Sequence, residues 1–275
     1  MAVLVVGAST GFGAAIADAF LARSERVIGT SRSAPSEGPV GAAGLTMVQL
    51  DVCDDASVAA LAARLAEAGA MPDLIVLNAG FGISGAVEDT PLEAAMAQFN
   101  TNFFGVHRVV RAFLPAMRDR QDGQLIVIGS VAGQIPIPFQ AFYSASKAAA
   151  ASYVKALRME VAAFGVRVSL IEPGDHKTAF GAARAASESG PESAYQPQAQ
   201  RAVEIMEASE TQGAPATDVA KLVVRIAGLR RPKIRYVRAN AIEKLGLVLQ
   251  GVLPSGLFER MLMDTYKVPA RRRQD

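Results

Sequence analysis

The sequence predicts an α/β fold in which helices cover both faces of a doubly wound, parallel β-sheet. Short apolar runs typical of buried strands alternate with longer stretches of helical periodicity, the order that right-handed βαβ crossovers produce. Turns with small or polar residues follow several of these runs. In a parallel sheet such turns meet at the carboxyl edge, where ligands bind. We therefore expect a single domain over residues 1–275 with a nucleotide site at that edge.

Four predicted strands lie in the first part of the chain. Each is a short apolar run, and they span Ala2–Val6, Arg26–Thr30, Thr46–Leu50 and Asp73–Leu77. An amphipathic helix follows the first strand to about Arg23, and a second helix spans Asp55–Ala68 with Asp55 as candidate N-cap. Residues 33–44 are rich in Gly, Pro and Ser, which indicates a loop.

The second part of the chain continues the alternation. A long helical pattern over Pro91–Arg120 is interrupted late by Pro115. Further helices are predicted from Tyr143 onward and over Thr217–Leu229. Three more strands are expected, and they span Leu125–Ile128, Val166–Ile171 and Ile234–Val237.

Two segments depart from this alternation. Residues 175–215 have weak periodicity and predict a lid over the substrate, with an ordinary surface excursion as the alternative. The C-terminal extension, residues 240–275, mixes apolar and basic stretches and ends near Arg271–Arg273. We expect it to pack over the substrate pocket or against another subunit. Docking on a membrane surface is the alternative, which Pro254 and the glycines disfavour because they break the helical stripe.

The composition argues against several classes of protein. Hydrophobic residues make up 51% and charged residues 20% of the chain, which supports a large core and excludes global disorder. A net charge of +2 is too small to indicate nucleic-acid binding. With Cys53 as the only cysteine and only two histidines, His107 and His176, we expect no disulfide and no metal site. No signal peptide or bilayer-spanning run is evident, so the expected location is the cytoplasm.

A glycine-rich turn follows the first predicted strand. Gly7, Gly11 and Gly13 allow a tight turn and close backbone approach, and the helix that follows presents free N–H groups to a pyrophosphate. Their spacing, G-x-x-x-G-x-G, differs from the G-x-G-x-x-G fingerprint of dinucleotide-binding folds. Taken alone, the turn is equally consistent with nucleotide binding and with simple packing of a helix on a strand.

The second predicted strand ends in Ser31-Arg32. An acidic residue at this distance from the glycines would bind the ribose 2′-hydroxyl of NAD, whereas an arginine accepts the 2′-phosphate of NADP. No acid stands here, so the sequence favours NADP and leaves NAD as the alternative.

Tyr143 and Lys147 are four residues apart on a predicted helix and therefore share a face. A free tyrosine has a pKa of about 10, and a nearby cation favours the phenolate, so this pair can transfer protons. Ser130 ends the preceding strand and could hold the oxygen that gains or loses the proton. A Tyr and a Lys at this spacing are more often a plain surface pair, and only the context favours the chemical interpretation.

Together these motifs resemble the short-chain dehydrogenase/reductase family over nearly the whole chain. The resemblance implies a Rossmann-type sheet, and it depends on several motifs that occur in family order. They are the glycine turn, Asn78-Ala79-Gly80, Asn102, Ser130 with Tyr143 and Lys147, and Pro173-Gly174 with Thr178.

The resemblance implies four catalytic residues. Tyr143 is the acid/base, and Ser130 polarises the substrate carbonyl. Lys147 lowers the pKa of the tyrosine and holds the nicotinamide ribose, and Asn102 anchors a water that relays protons to it.

The resemblance also implies a set of cofactor-binding residues. Besides Tyr143 and Lys147, that set is Gly7, Ser9, Thr10, Gly11, Phe12, Gly13, Ser31, Arg32, Asp51, Val52, Asn78, Ala79, Gly80, Pro173, Gly174, His176 and Thr178. Two positions depart from the family pattern. Val6 replaces a threonine whose hydroxyl helps to fix the turn, and His176 replaces a residue that is usually apolar.

The extension is similar to that of members acting on bulky alcohols and ketones, such as 17β-hydroxysteroid and retinol dehydrogenases. Arg235-Tyr236 and the segment Leu253–Phe258 carry this weaker likeness. The predicted function is hydride transfer between NADP(H) and a hydrophobic ketone or secondary alcohol. The alternative is a non-catalytic NAD(P)-binding sensor or scaffold on the same fold. The resemblance also implies a homodimer or homotetramer.

Overall fold

Seven apolar runs pair side by side in one parallel sheet, which confirms the predicted fold class. The computed structural model describes residues 1–35, 44–178, 181, 184–186 and 192–269. Its strands are β1 (Ala2–Val6), β2 (Arg26–Ser31), β3 (Leu45–Gln49), β4 (Leu74–Leu77), β5 (Ile83–Ser84), β6 (Gly123–Ile128), β7 (Val166–Pro173), β8 (His176–Lys177), β9 (Ala185–Ala186), β10 (Ala214–Pro215) and β11 (Arg235–Arg238). The main sheet has the order β11-β7-β6-β4-β1-β2-β3.

The helices predicted from the sequence begin and end within a few residues of the expected positions, and further helices form in the predicted lid and in the extension. They are α1 (Gly11–Leu21), α2 (Asp55–Glu67), α3 (Leu92–Phe99), α4 (Gly105–Asp119), α5 (Ala141–Glu160), α6 (Gln196–Gln212), α7 (Thr217–Ala227), α8 (Ala241–Val252) and α9 (Ser255–Thr265). No described helix combines the length and apolar composition that crossing a bilayer would require.

Each face of the sheet buries its own group of apolar side chains. On one face, α2, α4 and α5 cover the strands with residues such as Leu65, Phe113 and Val154. On the other face α1 and α7 pack together, and Phe20 and Val223 lie in that contact. Strands buried on both faces explain why β1 and β4 are continuous apolar runs without alternation.

The helical pattern from residue 91 to residue 120 is broken in a different place from the one predicted. Pro115 lies inside α4, which continues to Asp119, so the expected interruption there is wrong. The break is instead a π-helical turn, Asn100–Phe104, between α3 and α4. Such turns insert one extra residue and redirect side chains, and they are frequent at functional sites. Asn102 lies in this turn.

Two smaller expectations also need correction. The N-cap of α2 is Asp54, whose side chain accepts a hydrogen bond from the Ala56 N–H, and Asp55 is the first helical residue. The predicted lid and extension contain regular helices that weak periodicity and glycines concealed. Residues 175–215 include α6, and the extension forms α8 and α9, which are separated at Pro254. Arg271–Arg273 lie outside the described residues.

The turn between β1 and α1 depends on close contacts that only glycine allows. Gly7 has a φ of +79°, in the left-handed region, and a Cβ there would lie 2.9 Å from Ala79 Cα. A Cβ on Gly13 would lie 1.9 Å from the Gly7 carbonyl oxygen and 2.7 Å from Asn78 Nδ2. The first turn of α1 therefore packs directly on the strand ends of β1 and β4.

We expect Gly13→Ala to destabilise the protein by about 2 kcal/mol or more, because its methyl group meets backbone atoms that cannot move independently. The midpoint of urea denaturation measures this change. Gly251→Ala in α8 is the matched control, since nothing lies within 4 Å of its Cβ position. That control should be neutral or stabilising by up to about 1 kcal/mol. Equal effects of the two changes would contradict the packing argument.

Candidate active site

The carboxyl ends of the central strands open into a cavity of about 900 Å³. The predicted site residues in its wall are Gly7, Ser9, Thr10, Gly11, Phe12, Ser31, Arg32, Asp51, Val52, Asn78, Ala79, Gly80, Ser130, Tyr143, Lys147, Pro173, Gly174, His176 and Thr178. The two predicted residues outside the wall are Gly13, which packs behind the turn, and Asn102. Convergence of the strand ends thus brings nearly the whole predicted set together.

The glycine turn is held by side chains from the neighbouring strands. Thr30 at the end of β2 accepts a hydrogen bond from the Gly7 N–H over 3.2 Å. Asn78 at the end of β4 donates to the Gly7 carbonyl oxygen over 2.7 Å. Val6 lacks the hydroxyl usual in the family, and Thr30 supplies one from the next strand. Sequence reasoning missed Thr30 because its role depends on strand pairing.

The first turn of α1 fits a pyrophosphate. The N-cap residue, Thr10, makes no side-chain capping bond, and the first turn contains no acidic residue. Its first N–H groups therefore remain available for an anion, and Gly11 and Phe12 lie in the cavity wall. The backbone cradle around Gly7 has no room for a Cβ, as expected where a ligand must approach closely.

The ends of β2 and β3 form the part of the wall where a ribose and an adenine would lie. Arg32 is exposed and Ser31 is half-buried, and the Ser31 hydroxyl lies 3.2 Å from that of Ser33. Asp51 accepts a hydrogen bond from the Cys53 N–H over 2.8 Å, which orders the turn after β3. The site thus presents an arginine and hydroxyls next to β2.

Ser130, Tyr143 and Lys147 meet at the end of β6. Ser130 accepts a hydrogen bond from the Ala132 N–H over 3.1 Å, and its hydroxyl is hydrogen-bonded to that of Tyr143. Lys147 donates to the Ile128 carbonyl oxygen over 3.1 Å, and its Nζ lies 5.9 Å from the centre of the Tyr143 ring. Both Tyr143 and Lys147 are buried. Tyr143 and Lys147 therefore form a buried pair and not a surface pair.

Burial dominates the acid–base properties of this group. It raises the pKa of Tyr143 to about 12, against the opposing effect of the Ser130 hydrogen bond, and the Glu210 and Asp175 carboxylates raise it further. It also lowers the pKa of Lys147 to about 8. The expectation that Lys147 lowers the pKa of Tyr143 stays a prediction, because the shift described here arises mainly from burial of the phenol.

Asn102 lies behind the cavity wall, where it fixes the segment after β4. Its Oδ1 accepts a hydrogen bond from the Phe81 N–H over 3.0 Å, and its Nδ2 donates to the Phe81 carbonyl oxygen over 2.9 Å. The same Nδ2 lies 3.0 Å from the Ser146 hydroxyl. These bonds place Gly80 between Asn102 and Lys147, since a Cβ there would lie 3.5 Å from Lys147 Nζ.

The segment after β7 closes the site on the glycine-turn side. Thr178 approaches Gly11, whose Cβ position lies 3.6 Å from the Thr178 Cβ. His176 is buried and meets the Phe12 ring edge-on, with 5.2 Å between ring centres. Its Nδ1 lies 2.9 Å from the Gly174 carbonyl oxygen, while its Nε2 is buried and has no hydrogen-bond partner among the described residues.

Sequence reasoning missed the residues of the other cavity wall. This wall is formed by the lid and the extension, and it includes Asp175, Glu210, Ile242, Glu243, Leu245, Gly246, Leu249, Met261, Leu262, Thr265 and Tyr266. Burial, aided by nearby carboxylates, raises the pKa of Tyr266 to about 12. The extension thus packs over the cavity, one of the two arrangements expected, and mixed apolar and basic composition could not identify the contacting residues.

The sequence matches the family model described as short chain dehydrogenase over residues 1–189. It is 35% identical over 268 residues to a 3-ketodihydrosphingosine reductase of Bacteroides thetaiotaomicron, covering 97% of this chain and 98% of that protein. It is 33% identical over 278 residues to retinol dehydrogenase 8 of Bos taurus, covering 92% of this chain and 86% of that protein.

Solved structures show the same fold with bound nicotinamide cofactors. A short chain dehydrogenase/reductase of Burkholderia phymatum in complex with NAD matches with a TM-score of 0.76 and 25% identity, over 90% of this chain and 92% of that one. A serine dehydrogenase complexed with NADP⁺ matches with a TM-score of 0.72 and 27% identity, over 87% and 94% of the two chains.

Replacing Lys147 by Met should stabilise the protein by about 2–3 kcal/mol at pH 7, because it removes a buried charge. The unfolded chain holds the lysine proton up to about pH 10.5, whereas the folded chain releases it near pH 8. Wild-type stability therefore rises with pH across that window, and the advantage of Lys147→Met shrinks there. Urea denaturation at several pH values measures the difference.

Lys155, which is exposed on the same helix, provides the matched control. Lys155→Met removes an exposed lysine and should change the free energy of unfolding by no more than about 0.5 kcal/mol. A Lys147→Met variant that is less stable than the wild type at pH 7 would contradict the dominance of desolvation.

Proposed function

This chain belongs to the short-chain dehydrogenase family, and on that premise we propose that it is an NADP(H)-dependent oxidoreductase of hydrophobic ketones or secondary alcohols. The observation that carries the proposal is the buried group at the end of β6. There the Ser130 and Tyr143 hydroxyls are hydrogen-bonded in the same cavity wall as the glycine turn. A proton donor and a dinucleotide cradle that share one cavity suit hydride transfer coupled to proton transfer.

The residues around the cavity fit a nicotinamide dinucleotide. The free N–H groups of α1 and the glycine cradle would bind its pyrophosphate, and Asp51 and Val52 would lie along its adenosine. Lys147 would hold the nicotinamide ribose. When bound, the cofactor supplies or accepts the hydride at its nicotinamide ring.

The chain's own part in the reaction is to place a proton at the substrate oxygen. A pKa of about 12 keeps Tyr143 protonated at neutral pH, so the hydroxyl is ready to protonate the alkoxide that develops during ketone reduction. Ser130 holds the same oxygen through its hydroxyl. In alcohol oxidation the proton passes in the opposite direction, and Lys147 provides the nearby positive charge that favours a transient phenolate.

Two features support a preference for NADP over NAD. Arg32 and Ser31 lie in the cavity wall at the end of β2, where a 2′-phosphate would bind. No carboxylate stands at these two positions to accept a ribose 2′-hydroxyl. Similar solved structures hold NAD or NADP, so the proposal depends on these two residues and not on the comparisons.

A hydrophobic substrate is supported by the wall that α8 and α9 contribute. Leu245, Leu249, Met261 and Leu262 line the cavity together with Ile135 from the loop after β6. Apolar side chains in this number favour a ligand with a large apolar surface. The names of the two similar proteins, a 3-ketodihydrosphingosine reductase and a retinol dehydrogenase, agree with such a ligand.

We also propose a homodimer or homotetramer in the cytoplasm. The family resemblance supports the oligomer, and exposed hydrophobic side chains such as Phe104 and Met159 agree with an interface on the side of the sheet covered by α4 and α5. Docking on a membrane stays the less favoured alternative, because the extension packs over the cavity.

Tyr143→Phe should lower kcat for ketone reduction by at least about a hundredfold, because it removes the proton donor while keeping the ring. Fluorescence titration should show NADPH binding within about threefold of the wild type. Tyr153→Phe on the same helix is the control, since Tyr153 contacts His107 and does not line the cavity. Cofactor binding without turnover of any ketone by the wild type would instead favour the sensor hypothesis.

Ser31→Asp should shift the ratio of kcat/KM for NADPH and NADH towards NADH by about tenfold to a hundredfold, because the carboxylate repels the 2′-phosphate. Steady-state kinetics with both cofactors measure the ratio. Ser33→Asp is the control, since Ser33 lies two residues further on and outside the cavity wall. An unchanged ratio in Ser31→Asp would refute the proposed NADP site.

A further inference from the structure

A fully buried carboxylate lies at the end of β7, and the proposed reaction does not involve it. Glu172 is 0% exposed and follows Leu170 and Ile171, which are equally buried. It does not line the cavity, so any part that it has in the reaction must pass through another residue. A carboxylate at this depth destabilises the fold unless a cation and hydrogen bonds compensate for its lost hydration.

The two oxygens of Glu172 are bound from two different directions. Arg235, on the neighbouring strand β11, forms an ion pair with Oε2 through its Nε. Gln134, in the loop after β6, donates a hydrogen bond from its Nε2 to Oε1 over 2.8 Å. Because the ion pair fixes the carboxylate against β11, its other oxygen is a rigidly placed acceptor for Gln134.

Gln134 ends the short helical turn that begins at Ser130. The turn itself spans Val131–Gly133, and Ser130 is its N-cap. The Gly133 N–H donates to the Ser130 carbonyl oxygen over 3.0 Å, and the Gln134 N–H donates to the Val131 carbonyl oxygen over 2.8 Å. Since only three residues separate Gln134 from Ser130, a displacement of Gln134 also displaces the Ser130 hydroxyl.

The end of β7 contacts this turn on both sides of Ser130. Before it, the Gly129 N–H donates to the Ile171 carbonyl oxygen over 2.7 Å, and a Cβ on Gly129 would lie 3.5 Å from Glu172 Cγ. After it, the side chain of Gln134 binds Glu172. The serine is thus held between two contacts with the same strand end.

A second hydrogen bond to Gln134 comes from the extension. Gln250 of α8 donates from its Nε2 to the Gln134 carbonyl oxygen over 2.8 Å, at an exposed position. Water can replace a bond at the surface, whereas the partly buried bond to Glu172 leaves a buried acceptor unpaired when it is lost. Glu172 is therefore the partner of Gln134 whose loss should affect the turn more.

We propose that the hydrogen bond between Gln134 and Glu172 positions the Ser130 hydroxyl against that of Tyr143, with Arg235 fixing the carboxylate. Gln134 and Glu172 are positioning residues, since neither touches the substrate or transfers a proton. The proposal rests on the proposed function, because it assumes that Ser130 holds the substrate oxygen. A hydroxyl that stabilises a developing charge works only in a narrow range of positions, so loosening the turn should slow the chemical step and leave binding intact.

Gln134→Met tests the bond, because it removes the donor and keeps a side chain of similar length. With NADPH and a hydrophobic ketone that the wild type reduces, kcat should fall at least about tenfold, while KM for ketone and for NADPH stays within about threefold of the wild type. Gln134→Lys keeps a donor for Glu172 and should recover most of the wild-type kcat. Gln250→Ala is the control, since it removes only the exposed bond to Gln134, and it should keep kcat within about twofold.

A double-mutant cycle with Ser130→Ala separates positioning from a general loss of structure. If Gln134 acts through the Ser130 hydroxyl, adding Gln134→Met to Ser130→Ala should change kcat by no more than about twofold. A loss that spreads through the fold would lower kcat equally with and without the serine. Thermal denaturation of each variant verifies that the assayed enzyme is folded.

A similar fall in kcat in both backgrounds would overturn the inference, and so would a wild-type kcat in Gln134→Met or a loss confined to KM for NADPH. If the rate of Ser130→Ala lies below detection, the two single variants at position 134 decide. Equal kcat in Gln134→Lys and Gln134→Met would then overturn the inference, because the donor would be irrelevant. Absence of ketone reduction by the wild type would instead overturn the proposed function, and the inference with it.

Discussion

The site depends on a buried ammonium group. Lys147 is 6% exposed, and its Nζ has one recorded hydrogen-bond partner among the described residues, the Ile128 carbonyl oxygen. Burying a charge with a single hydrogen bond to compensate for lost hydration destabilises the fold. This destabilising charge nevertheless lies at the end of β6, beside the Ile128 carbonyl oxygen. Two glycines pack against Lys147. A Cβ on Gly80 would lie 3.1 Å from Asn102 Oδ1 and 3.5 Å from Lys147 Nζ, and a Cβ on Gly133 would lie 2.9 Å from the Lys147 carbonyl carbon.

The same burial determines which form of each reactive group is present. Burial raises the pKa of Tyr143 and lowers the pKa of Lys147. Both shifts favour the neutral form of the side chain, because a buried charge loses its hydration. The nearby carboxylates of Asp175 and Glu210 add to the effect on Tyr143. A ligand with a positive charge near these two carboxylates would oppose their effect and lower the pKa of Tyr143. The acid–base balance of the site is thus linked to the charge of what it binds, and the substrate wall is part of the chemistry.

The cofactor half of the site could be predicted from the sequence because it is made of strand ends and short turns. Parallel pairing brings Gly7, Asn78 and Ser130 to one edge regardless of how the helices pack. The direction of the Tyr143 pKa shift could not be predicted, since it depends on the depth of burial. Thr30 was missed because its partner, Gly7, lies in the turn after a different strand. Glu210 was missed because its position depends on the path of α6, whose periodicity is weak.

The substrate half depends on one carboxylate that ties the extension to the sheet. Glu243 caps α8 through Asn240 and also accepts a hydrogen bond from the Asp175 N–H in the segment after β7. A Cβ on Gly174 would lie 2.1 Å from Glu243 Oε1, so this contact requires a glycine there. Gly174, which the family resemblance assigns to cofactor binding, therefore also leaves the space in which Glu243 of the extension packs. Because the wall formed by α8 is held through this contact, changes to the extension can alter substrate choice while leaving the glycine turn and the Tyr143 group in place.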